Sequence, residues 1–122
     1  MTQSKNVTTS AKAETFDSCS GVFDGLMTEM RELSKKKPDA TLNENKVRIL
    51  NRVLTDVKQL LQDEPEAKYL ESLDDDVLPQ NSDAVLVMVQ HEGALAAFRK
   101  RYWVRFPDSL EYHWATENAV GG

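Results

Sequence analysis

A chain of 122 residues has room for one domain of ordinary size and one hydrophobic core. Its apolar fraction of 40% and charged fraction of 29% fit a folded domain with a heavily solvated surface, not a chain disordered throughout. The net charge of -5 weighs against a polyanion as the main partner, and Cys19, the single cysteine, excludes an internal disulfide and nearly excludes a cysteine-based metal site.

Residues 1–13 are rich in Ser, Thr, Lys and Asn, lack apolar periodicity, and read as a disordered tail. They hold no apolar run of the kind a secretory signal needs, and no stretch approaches the ~18 consecutive apolar residues of a membrane span. A cytoplasmic protein without membrane contact is expected.

The first periodic segment runs over 14–34. Phe16, Cys19, Phe23, Met27, Met30 and Leu33 recur at steps of three and four, which places them, with Val22, on one face of a helix. Gly21 and Gly25 weaken that helix by ~1 kcal/mol each relative to Ala. Lysines 35–37 and Pro38 end it. Thr41-Leu42-Asn43-Glu44 then has the form of a capping box with Thr41 as the cap. The helix that follows, about 42–62, carries Val47, Leu50, Leu54, Val57 and Leu61 at alternating steps of three and four, with Ile49, Val53 and Leu60 widening the apolar arc. The short connection makes the two helices antiparallel neighbours.

Residues 63–76 contain seven acidic side chains against Lys68, a balance of -6. Pro65 suits the first turn of a short helix, with Tyr69, Leu70 and Leu73 inward. Ser82 or Asp83 is a candidate cap for the next element, about 84–103. Its opening, Ala84-Val85-Leu86-Val87-Met88-Val89, is apolar on every side and is expected to be buried. Periodicity alone does not separate helix from strand there. Continuation of the pattern through Leu95, Phe98 and Tyr102 favours helix, whereas the valines and Gly93 favour strand. The last stretch, 102–114, fits either a β-hairpin around Pro107-Asp108-Ser109 or a helix end followed by a short helix.

The fold expected first is all-α: three long helices with one or two short ones, a disordered 1–13, a single helical domain over 14–118 and a frayed 119–122. The alternative is α+β, with a C-terminal hairpin at 102–114.

The candidate partner-binding residues are Arg99, Lys100, Arg101, Tyr102, Trp103 and Arg105. Four cations interleave there with aromatics, and six of the nine aromatic residues lie between Phe98 and Trp114. Such a segment can hold phosphates and stack bases, or anchor a protein partner. It can also be an ordinary helix end whose cations complement the dipole or pair with the acidic 63–76. His91 sits on an apolar helix, where a hydrogen-bonded core or interface histidine outweighs a general base. Asp74-Asp75-Asp76 lacks the Gly and terminal Glu of a calcium loop and reads as a solvated acidic turn. Cys19 falls on an apolar face and reads as a structural thiol.

No phosphate loop, dinucleotide fingerprint, nucleophile elbow or zinc pattern is present in the sequence. No catalytic, metal or cofactor residue is therefore nominated. The expected function is non-catalytic protein binding or regulation, as a homodimer or a small subunit of a larger assembly. The alternatives are a nucleic-acid-binding subunit using 99–105 and a small enzyme with a polar site near His91.

Overall fold

The computed structural model describes residues 7–105 and 110–117. Three long helices form in chain order: α1 (Ser10–Lys36), α2 (Glu44–Leu60) and α3 (Asn81–Tyr102). A 3₁₀ turn at Pro65–Tyr69 separates α2 from α3, and two short strands follow, β1 (Trp103–Arg105) and β2 (Tyr112–Trp114).

The strands pair antiparallel, with Trp103 opposite Trp114 and Arg105 opposite Tyr112. This corrects the all-α expectation: the fold is α+β, a three-helix body carrying a small hairpin. Tyr102 is the last helical residue, and Trp103 already has extended backbone angles. β-Branched and aromatic residues suit that geometry, and Pro107 lacks the N–H a continuing helix needs. A lone two-stranded hairpin is marginal in water. Here Trp114 anchors it, with ring centroids 5.1 Å from Phe16 and 5.9 Å from Phe98. The backbone N–H of Ala115 donates to the Tyr102 carbonyl at 2.7 Å and ties the far strand to the end of α3.

The N-terminal expectation is also corrected where residues are described. Thr9 caps α1 by accepting from the Lys12 N–H, and the helix starts at Ser10, four residues earlier than its apolar spacing suggested. Thr8 is buried, and its N–H donates to the Ala115 carbonyl at 2.9 Å. Segment 7–13 is therefore docked against the chain after β2. Residues 1–6 and 118–122, where a disordered tail and a frayed end were expected, lie outside the described residues.

Helix α1 packs against both α2 and α3, and the core runs between the three. Phe23, Val47, Leu54, Val57, Met88 and Phe98 are fully enclosed in it. The inward set on α2 is the one its spacing marks. Its cap is not: Asn43, not Thr41, accepts from the Lys46 N–H at 2.8 Å. Thr41 bridges to Gln80, and the Leu42 N–H donates to the Pro79 carbonyl at 2.8 Å. The chain thus stays extended beside the entry to α3 until Asn43, which delays the helix.

Helix α3 starts at Asn81, with neither Ser82 nor Asp83 as its cap. After the 3₁₀ turn, Leu70 and Leu73 are buried as expected but Tyr69 is exposed. Asn51, a polar-face residue of α2, fixes that stretch: its amide accepts from the Leu73 N–H at 3.0 Å and donates to the Leu73 carbonyl at 2.9 Å.

Candidate interaction face

The basic-aromatic segment divides between two directions. Arg101 turns inward across the acidic stretch, 2.6 Å from Glu64 and 2.9 Å from Glu66. The Tyr102 hydroxyl donates to the same Glu64 carboxylate at 3.1 Å. Glu64 is 7% exposed at its side chain, so this cluster is a nearly dry latch from the 3₁₀ turn to the end of α3. The guanidinium holds the Glu66 carboxyl below its ordinary range, and burial together with Glu64 pushes the Tyr102 hydroxyl up. Arg101 and Tyr102 thereby serve the fold, and the pairing of the basic end with the acidic stretch occurs within the chain.

Arg99, Lys100 and Arg105 remain at the surface and carry no ion pair among the described residues. Arg99 lies over the half-buried Trp103 ring at 5.9 Å, a cation–π contact across one helical turn. Trp103 meets Trp114 edge-on at 5.1 Å. Tyr112, which the sequence reading did not nominate, joins them. Its place opposite Arg105 puts the two on one side of the hairpin, and it lines a shallow depression of about 510 Å³ with Ala96, Arg99, Lys100 and Trp103. Cross-strand register was the missing signal, and it depends on knowing that the hairpin exists.

The depression continues into the outer face of α3. Leu86, Val89, Gly93, Ala96 and Lys100 are all exposed and succeed one another at steps of three, four, three and four. Leu86 is 65% and Val89 41% exposed. This corrects the expectation that the apolar opening of α3 is buried on every side. Only Ala84 and Met88 in that stretch face fully inward, along a line that continues through His91, Leu95 and Phe98. Helix α3 thus has two apolar faces, and the chain's own core covers one. A second apolar groove, about 310 Å³, lies between α1 and α2 along Leu26, Leu33 and Ile49, with Glu29, Glu32 and Lys46 on its rim.

The other nominated groups fall apart in space. His91 is fully enclosed, and its Nδ1 donates to the Val87 carbonyl at 2.9 Å, one turn back in the same helix. Burial holds its pKa below the ordinary value, so the ring is neutral. Glu92, its neighbour in sequence, instead pairs with Arg31 at 2.8 Å. Asp74, Asp75 and Asp76 are exposed, with carboxylate oxygens within 4.8 Å of one another. One Asp74 oxygen already accepts from the N–H groups of Asp76 and Val77, the pattern of an Asx turn. Cys19 is buried, and burial pushes its thiol pKa up, away from the nucleophilic thiolate. Among the described residues, no helix is long and apolar enough to cross a membrane.

No family model matches the chain, and comparison with curated proteins and with solved structures yields no match.

Proposed function

We propose that the chain is a non-catalytic protein-binding domain whose partner-facing surface is the outer face of α3 together with its basic, aromatic end. One observation carries this reading: Leu86 and Val89 stand exposed on a helix whose opposite side is already packed. An apolar helix face left in water is a cost that a partner's surface removes. The neighbouring Arg99, Trp103 and Tyr112 have the composition found at binding hot spots. The test is retention of partners from the native host on wild-type chain and on a Leu86→Glu, Val89→Glu double variant. Partners held by the wild type and lost by the variant support the reading, and identical retention contradicts it.

The depression itself favours a second reading, single-stranded nucleic acid. Arg99 and Lys100 line it beside Trp103 and Tyr112, with Arg105 opposite Tyr112 on the hairpin, and together they offer phosphate contacts and stacking surfaces. The acidic whole opposes it, with a net charge of -5. Binding whose salt dependence loses about one unit of slope for each of Arg99, Lys100 and Arg105 removed would establish it over the first.

A further inference from the structure

We propose that the depression at the end of α3 binds a free nucleotide, with the base between Trp103 and Tyr112 and the phosphate on Arg99 and Lys100. The base slot follows from strand register. Trp103 lies opposite Trp114, and Tyr112 stands two residues before Trp114 on the same strand. Side chains alternate between the faces of a sheet, so Trp103 and Tyr112 project from one face as diagonal neighbours. Such neighbours stand about 7–8 Å apart. That gap holds one flat ring, because a ring stacked on both sides needs two contacts of about 3.5 Å each. Among the described residues, the ring contacts of Trp103 are with Trp114 and Arg99, and none joins it to Tyr112. Tyr112 is 58% exposed, so its ring is open to a ligand.

Charge adds the second half of the ligand. Arg99 and Lys100, on the last turn of α3, line the same depression of about 510 Å³, with Ala96 as a small neighbour. That volume lies within the roughly 300–1,000 Å³ of small-molecule sites. Among the described residues, no acidic side chain lines it, although the chain carries 20 acidic residues against 15 basic ones. Glu92, on the same helix, gives both carboxylate oxygens to Arg31, and Glu64 and Glu66 are taken by Arg101. Two neighbouring cations repel, and a bound phosphate relieves that repulsion. A base and a phosphate joined by a sugar match a site whose rings lie on the hairpin and whose cations lie on the helix. One slot serves one base, and the net charge of -5 opposes a longer polyanion. The proposal goes beyond the protein-binding reading and needs neither Leu86 nor Val89.

Isothermal titration of the full chain with AMP, adenosine and inorganic phosphate tests the site. AMP is expected to bind once per chain with a Kd below about 1 mM, and adenosine and phosphate each at least about tenfold more weakly. Lys100→Glu and Tyr112→Ala alter exposed side chains. Each is expected to weaken AMP binding by at least about tenfold, with helical content intact by circular dichroism. Absence of saturable AMP binding overturns the proposal, as does AMP binding indifferent to either variant. Phosphate that binds as tightly as AMP overturns the base slot and the proposal with it. A single-stranded oligoadenylate that binds where AMP does not overturns the free nucleotide and leaves the nucleic-acid reading standing. AMP binding is expected to survive the Leu86→Glu, Val89→Glu double variant, whatever that variant does to protein partners, and its loss there overturns the proposal.

Discussion

Helices α2 and α3 both bury an apolar stripe, but their remaining faces relate differently to water. On α2, Val47, Leu50, Val53, Leu54, Val57 and Leu60 form one buried stripe, and the remainder is charged or polar apart from a single exposed Ile49 at the stripe's edge. On α3, Ala84, Met88, Leu95 and Phe98 form an equivalent buried line, but Leu86 and Val89 stand outside it with only small residues, Gly93 and Ala96, between them and the basic end. One stripe satisfies the fold. A second stripe on the same helix has no duty within the chain. Apolar residues on α2 should therefore govern stability, whereas those on the outer face of α3 should govern association.

The sharpest break in that comparison is Leu54→Asp. Leu54 is completely enclosed, and an unpaired buried carboxylate costs several kcal/mol against a total stability of about 5–15. The variant is expected to be unfolded by circular dichroism, and a wild-type melt would show that α2 does not hold the core.

Removal of Arg101 ranks next. Arg101→Ala leaves the Glu64 carboxylate, among the described residues, with the Tyr102 hydroxyl as its remaining side-chain donor in a nearly dry site, at a cost of about 1–3 kcal/mol in chemical denaturation. The same change at Arg99, whose guanidinium is at the surface, is expected to leave the folded state within about 0.5 kcal/mol of wild type. Equal losses at the two positions would erase the division between a structural and a surface arginine.

Asn43→Ala should cost about 1 kcal/mol through the lost cap on α2, and Thr41→Ala less. The reverse order would place the helix start at Thr41.

Acidification gives a smaller effect. The folded-state pKa of His91 lies below 6.5 because burial disfavours the imidazolium. The unfolded chain therefore takes up this proton first as pH falls, so stability is complete above the unfolded value and declines below it. Glu66, held low by Arg101, acts in the same direction further into acid. Thermal midpoints should fall between about pH 7 and pH 5, and His91→Leu should flatten the upper part of that slope. A midpoint that rises on acidification would contradict the neutral buried ring.

These outcomes follow how legible each part was in the sequence. The α2 stripe was legible because a single apolar set at steps of three and four admits only one inward face. The core roles of Cys19 and His91 were legible for the same reason. On α3 two apolar sets overlap along one helix, so together they look apolar all round, and only packing reveals which is left over. The hairpin was ambiguous because Trp103-Val104-Arg105 and Tyr112-His113-Trp114 are short and aromatic, a composition that suits a strand or a buried helix end. What decided it was a long-range event, the seating of Trp114 on Phe16 and Phe98. Cap choice at Thr41 or Asn43 was decided the same way, by the extended chain at Pro79 and Gln80. The inward turn of Arg101 needed Glu64 and Glu66 brought near from more than thirty residues away in sequence.

The central claim is that the outer face of α3 is surplus to the fold. Thermal unfolding of the Leu86→Glu, Val89→Glu double variant, followed by circular dichroism at low micromolar concentration, tests it most directly. The account predicts a folded chain with a midpoint close to that of wild type, because both side chains already meet water in the single chain. A loss of structure approaching that of Leu54→Asp would contradict it and return this face to the core.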